Sequence, residues 1–328
     1  MSIRLISPIK TEDLQSKSKS VSIYSHPMKK PLSPENLAPY LALIGVQLSF
    51  GSFPVLGKIA LSVIPPVGLV GFRVGLTALI FVIVQSFRRR FWLKDRIDYL
   101  KLFGISFLAV TFNQLLFTTG LSLTKASNTS LISVTIPIFA LTAGYLLGTE
   151  MLRPIKLIGI FIACTGVVLL IDPRNASFSS QTTLGDLLVV LNSLSYGVYV
   201  AISKGILMRN GAFRSIMWIF LFASIFCVPL GVFSMRTVDI ENVQPVIWLA
   251  VLYTAIIGTL IPYFLNAWAL ARVNPSTVAV FVYLQPVVGF MLAVIFLGEH
   301  VGLNFIAAAV FVFAGLFLVT KKFTSRET

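Results

Sequence analysis

LISVTIPIFALTAGYLLGTE (residues 131–150) and VFVYLQPVVGFMLAVIFLGE (residues 280–299) are the stretches on which the fold turns. Each is an apolar run about as long as a helix needs to cross a hydrocarbon core of roughly 30 Å. Each has an interior proline, Pro137 and Pro286, and closes on a glutamate, Glu150 and Glu299, so the second run is the first displaced by 149 residues. Working outward, the same displacement aligns residues 121–169 with 270–318 without a gap. Identities are few, but they include Ser127, Pro137, Glu150 and Gly166, matched by Ser276, Pro286, Glu299 and Gly315. Nearer the start of each half, a displacement of 146 residues lays Ser49-Phe50-Gly51…Lys58 on Ser195-Tyr196-Gly197…Lys204.

The rest of the chain is built of similar runs. Ten are separable, at about 39–60, 67–87, 102–122, 126–148, 155–171, 184–207, 213–234, 246–270, 276–298 and 303–320. Of the 328 residues, 56% are hydrophobic and only 12% are charged, with a mean hydropathy of +0.90. That charged fraction is half of what a soluble globular surface carries, so water is excluded as the main solvent. With two His, two Cys and 12 acidic residues, the chain is also poor material for metal clusters, disulfide frameworks or paired-carboxylate catalysis.

A net charge of +14 would suggest nucleic acid in a soluble protein. Here the basic residues sort by side of the membrane. With the N-terminus inside, 21 of the 26 Lys and Arg fall in cytoplasmic segments and four (Lys58, Lys125, Arg174, Arg236) on the other side, while Arg73 lies within span 2. This is the positive-inside pattern for ten spans with both termini cytoplasmic, and it leaves no case for a nucleic-acid partner. Trp92, Trp218, Trp248 and Trp268 all stand near predicted span ends, at headgroup level. Residues 1–36 are polar, without the apolar run of a secretory signal, and read as a disordered cytoplasmic tail, with a short second tail at 322–328.

Five spans is an odd number, so the halves 37–172 and 184–321 enter the membrane from opposite sides. The expected fold is an all-α integral membrane protein of ten transmembrane helices arranged as two inverted five-helix repeats. Secondary transporters use this arrangement to build alternative gates around one midplane site.

Ten spans, a twofold repeat, a lysine ending the first span of each half, Phe72-Arg73 in span 2, the mid-span prolines and the Leu-Gly-Glu ending resemble the EamA-type transporters of the drug/metabolite transporter superfamily. The resemblance covers about 37–321. It implies a basket of helices around a central cavity, spans 5 and 10 at the periphery, and export or exchange of small metabolites such as amino acids. Some small relatives place a glutamate in the first span for proton antiport; this chain has no acidic residue between Glu35 and Asp95, so that mechanism does not carry over.

Polar groups at lipid depth are expensive and mark candidate pathways. Asn192, Tyr196 and Tyr199 follow an i, i+4, i+7 spacing on one face of span 6. Span 1 offers Gln47 and Phe50, span 3 Asn113 and Gln114, span 8 Tyr263 and Asn266, span 9 Gln285. Together with Arg73 they outline a chamber of amides, phenols and aromatic walls with little charge, suited to neutral or zwitterionic, amino-acid-like solutes; the competing role is interhelical hydrogen bonding. Arg73 has three readings: a substrate carboxylate, a carbonyl partner, or snorkelling to the interface. Pro54, Pro137, Pro262 and Pro286 are expected hinges, each removing a backbone bond. Lys58 and Lys204 read as anchors, Glu150 and Glu299 as solvated loop carboxylates or gate residues, and Asp186 as a helix-dipole partner.

The expected function is a secondary transporter working by alternating access, for export or facilitated exchange, in a bacterial inner (plasma) membrane. Its partners are a small-molecule substrate and membrane lipids, and it needs no cofactor or metal. Gly71…Gly75 and Gly144…Gly148 permit close helix packing and leave a homodimer open. The alternatives are a channel or a membrane-embedded lipid-modifying enzyme. For the enzyme, His26 in the tail and His300 standing alone supply no catalytic constellation.

Overall fold

The structure, a computed structural model, describes residues 34–89, 91–133, 135–148, 154–171, 181–270, 281, 284–299 and 302–320. Regular structure among these residues is entirely helical. In chain order the helices are α1 (Pro34–Leu61), α2 (Pro66–Phe87), α3 (Arg96–Leu123) and α4, in two segments (Ala126–Ser133 and Ile136–Leu146). Then come α5 (Pro154–Ile171), α6 (Gln181–Asn210) and α7 (Ala212–Ser234). The chain continues through α8 (Pro245–Ala255, Ile256–Leu260 and Ile261–Leu270 end to end), α9 (Leu284–Leu297) and α10 (Leu303–Thr320). Seven are long and apolar enough to cross a membrane, and Pro154–Gly166, Val287–Leu297 and Leu303–Gly315 are shorter apolar helices. Residues 1–33 of the expected first tail and all of the second, 322–328, lie outside the described residues, as does Glu150.

Punctuation follows local chemistry. Pro66 and Pro245 stand at helix starts, where a missing N–H costs nothing. Gly148 (φ 70°) and Gly298 (φ 62°) end α4 and α9 in the left-handed region that a glycine enters freely. Two boundaries differ from expectation. α1 begins at Pro34, inside the stretch read as tail. α3 begins at Arg96, six residues before the apolar run, because the charges there find protein partners. Asp98 is fully buried and accepts from Asn210 Nδ2 at 2.7 Å and from Arg209, whose guanidinium also lies 3.5 Å from Asp95.

α2 packs on α7, α5 on α10, α3 and α4 on α6, and α9 on the first segment of α4. With no hydrophobic drive between helices in lipid, such pairs depend on close backbone approach. A Cβ on Gly71 would stand 2.7 Å from the Gly231 Cα and from the Cys227 carbonyl; Gly120 and Gly185 meet similarly across α3 and α6, while across α5 and α10 Gly166 meets Ala308 and Val312, and Gly315 meets Gly159 and Ala163. The largest core cluster is aromatic, with Phe81, Phe220 and Tyr263 buried, and Phe81 and Tyr263 meet Phe220 edge to face.

Two irregularities recur at one displacement. α3 contains a π turn at Phe107–Thr111 and α8 one at Ile256–Leu260, 149 residues on. In each, a backbone N–H reaches back five residues, Phe112 to Phe107 and Ile261 to Ile256. Pro262 follows the second turn, but Asn113 holds the equivalent place after the first, so proline is not their common cause. Pro137 does not kink a continuous helix, as a mid-span position would have it do. α4 is interrupted between its segments, and Pro137 is the second residue of the restarted one. Pro54 sits inside unbroken α1, and Pro286 lies within α9.

Gly71→Leu has only backbone to displace and is expected to destabilise the protein by about 1–3 kcal/mol, read as a fall in Tm in detergent. Gly104→Ala, where a Cβ would meet nothing within 4 Å, should leave Tm unchanged or raise it.

Candidate functional site

Side chains from neighbouring helices bond backbone carbonyls in and just beyond the first π turn. Ser195 Oγ donates to the Leu108 carbonyl at 2.9 Å, and the Tyr263 hydroxyl lies 3.4 Å from that of Ala109. Just beyond, Asn192 Nδ2 donates to the Asn113 carbonyl at 2.9 Å. α6 is thus stitched to α3 by side chains of its inward face.

Aromatic rings line the same region. The Tyr196 and Tyr199 rings are 5.3 Å apart, and Tyr263 makes edge contacts with Phe50 at 6.2 Å and Phe220 at 4.9 Å. Gln114 lies near Tyr263, and Ser203 near Tyr199.

Arg73 is the charged member. Its side chain is 3% exposed, so it does not snorkel to the membrane surface. Nε and Nη2 donate to Thr259 Oγ1 at 3.0 and 2.8 Å, Nη1 reaches Thr118 Oγ1 at 3.3 Å, and the guanidinium lies 4.0 Å from the centroid of the Phe53 ring. Thr259 passes its own proton to the Thr254 carbonyl at 2.8 Å, inside the α8 π turn. Among the described residues no carboxylate pairs with Arg73. A buried guanidinium held by hydroxyls and a π face keeps donors and a full charge available for an anionic group.

The candidates therefore divide. Phe50, Tyr196, Tyr199 and Tyr263 pack in one cluster, Asn192 bonds the Asn113 carbonyl next to Gln114, and Arg73 is held by Thr118, Thr259 and Phe53. Gln47 is buried, and its Oε1, like Thr77 Oγ1 one turn below Arg73, has no hydrogen-bond partner among the described residues. Gln285 is buried on α9, its backbone against Gly51, and Asn266 is half-buried on α8. Thr118, Thr259, Phe53 and the Ser52–Tyr253 hydroxyl pair at 2.7 Å escaped the sequence reading. Threonine and phenylalanine are ordinary in apolar helices, and only the partner across the bundle marks these.

Glu299 and Asp186 also differ from expectation. Glu299 is no solvated loop carboxylate: it accepts from the Ala126 and Ser127 N–H groups at 2.8 and 3.1 Å. Asp186 is 2% exposed and bonded by Thr124 and Asn128, the latter at 3.1 Å, so it fastens α6 to the α3–α4 turn.

The EamA-like transporter family model matches the chain over residues 37–172 and again over 183–321. The chain belongs to the EamA-like transporter family. A protein described as an uncharacterized transporter from Archaeoglobus fulgidus is 26% identical over 273 residues, covering 83% of this chain and 93% of its own length. The uncharacterized transporter YoaV of Bacillus subtilis is 22% identical over 293 residues, covering 88% of this chain and 98% of its own. One crystal structure superimposes with a TM-score of 0.58 at 16% identity, over 86% of this chain and 96% of that one, a likeness of fold alone. This EamA-family chain is accordingly an integral membrane transporter and not an enzyme.

Thr259→Val strands two guanidinium donors of this family member and is expected to cost about 1.5–3 kcal/mol; Thr118→Val, which loses one longer bond, should cost less. Thermal unfolding in detergent reads the order of the two.

Proposed function

We propose that the chain is a secondary transporter for small amino-acid-like solutes, working by alternating access between two inverted five-helix halves. The observation that carries the substrate reading is Arg73: a buried guanidinium with hydroxyl partners and no carboxylate among the described residues. A zwitterion would present its carboxylate there and its apolar part to Phe50, Tyr196 and Tyr263, while amides and backbone carbonyls receive its ammonium group. The unpartnered Gln47 Oε1 and Thr77 Oγ1 fit a site completed by solute.

The inverted-repeat reading draws support from features that recur at the sequence displacements. These are the paired π turns, the glycines Gly166 and Gly315, each pressed against the other's helix, and the family model that matches twice. Helix contacts recur as well: Gly51 of α1 meets Val288 of α9, and Gly197 of α6 meets Phe139 of α4, the two acceptor positions again 149 residues apart. The charge asymmetry supports ten spans and cytoplasmic termini, and a bacterial inner membrane belongs to the same reading. The hinges Pro54, Pro137, Pro262 and Pro286, and export or facilitated exchange as the direction, belong to the same reading.

Counterflow in proteoliposomes tests it: labelled amino acid should accumulate against saturable unlabelled amino acid, and non-saturable flux would indicate a channel instead. Arg73→Gln should lower uptake of the zwitterion by about tenfold or more. The wild-type protein should discriminate against the matching amine that lacks a carboxylate; equal transport of the two would overturn the assignment of Arg73. Asn192→Ala and Tyr196→Ala should impair counterflow while leaving the protein in the membrane, and unchanged KM and rate in both would remove α6 from the site.

A further inference from the structure

We propose that Glu299 is a latch that closes the Arg73 site at the end of the bundle where α3 turns into α4. The proposal rests on the transport reading for its purpose but not for its geometry. Glu299 follows α9, yet it binds the first turn of α4, 172 residues away in sequence. Oε1 accepts from the Ala126 N–H at 2.8 Å, and Oε2 from the Ser127 N–H at 3.1 Å and the Ser127 hydroxyl at 2.5 Å. The start of a helix offers unsatisfied N–H groups and the positive end of its dipole, so a carboxylate is the group best held there. Lys58 of α1 lies within electrostatic reach of Glu299, and Lys125 immediately precedes the capped turn.

Beneath the carboxylate the bundle is apolar. Phe53, Leu121, Ala126 and Ala293 are buried together, with Phe117 and Leu297 packed against them. The Phe53 and Phe117 rings are 5.4 Å apart, and the Arg73 guanidinium lies against Phe53. Contacts therefore run without interruption from Arg73 through Phe53 and the apolar plug to Ala126, whose N–H is itself bonded to Glu299. A solute held at Arg73 and leaving toward this end must part the plug. Parting it separates α9 from the start of α4, which breaks the three bonds to Glu299. Those bonds are charge-assisted, but the freed carboxylate and N–H groups recover water at the rim, so the clasp is strong enough to hold and weak enough to open.

The test is thiol accessibility of the plug. In a Cys164→Ser, Cys227→Ser background, Leu121→Cys is placed in a position that is fully buried. Its reaction with a charged methanethiosulfonate reagent is followed in detergent and in proteoliposomes. With Glu299 intact, labelling should be slow. Glu299→Ala should speed it by about tenfold or more, and Glu299→Asp should fall between. Ser127→Ala removes the hydroxyl donor while sparing both backbone bonds; it should accelerate labelling less, and it keeps the test decisive if Glu299→Ala does not fold. Equal labelling rates in Ser127→Ala and the parent, together with equal or unmeasurable rates in Glu299→Ala, overturn the latch. Accelerated labelling in a chain that shows no counterflow would retain the latch and discard the transport reading, so the two failures are distinguishable.

Discussion

A guanidinium at lipid depth has to be satisfied from within the protein, and the centre of this bundle is arranged around that requirement. Arg73 draws on three other helices at once, through Phe53 of α1, Thr118 of α3 and Thr259 of α8. Leaving a charge unpaired among apolar helices would cost several kcal/mol. The hydroxyl and π partners reduce that cost without neutralising the charge, so the centre keeps a positive potential.

The surroundings divide into joined and less joined parts. α3 and α6 are tied at one end by Asp98 with Arg209 and Asn210, in the middle by Asn192 and Ser195, and at the other end by Thr124 with Asp186. Gly120 and Gly185 let the backbones meet between these bonds. Such a pair behaves as one rigid element, since its polar links lie along its whole length. α9, by contrast, reaches α4 among the described residues through the Glu299 carboxylate that follows it, an apolar patch and the close approach of Gly289 to Ser130. Motion that opens a central site is cheaper at the second kind of joint than at the first.

The membrane class and the apolar runs were legible because hydropathy is a local property of the chain. Helical spacing put Asn192, Tyr196 and Tyr199 on one face, and in the fold the Tyr196 and Tyr199 rings meet while Asn192 bonds α3. Other features were not. Thr118 and Thr259 carry no sequence signal that separates them from threonines that merely bond their own helix, as Thr165 does. The polar start of α3 was placed outside the span because Asp98 and Arg96 read as loop charges; only the fold shows Asp98 buried against α6. Glu299 was left between a solvated loop carboxylate and a gate residue for the same reason, since its partners are backbone N–H groups of a helix far away in sequence.

The π turns carry a consequence for rotational phase. At 3.6 residues per turn, one inserted residue rotates everything beyond it by about 100°. Asn113, Gln114 and Thr118 all lie beyond the turn at Phe107–Thr111, and Pro262, Tyr263 and Asn266 beyond the turn at Ile256–Leu260. A helical wheel drawn straight through α3 or α8 therefore assigns the two ends to mismatched faces. Shortening either helix by one residue in that turn would swing its polar side chains out of the bundle centre toward lipid.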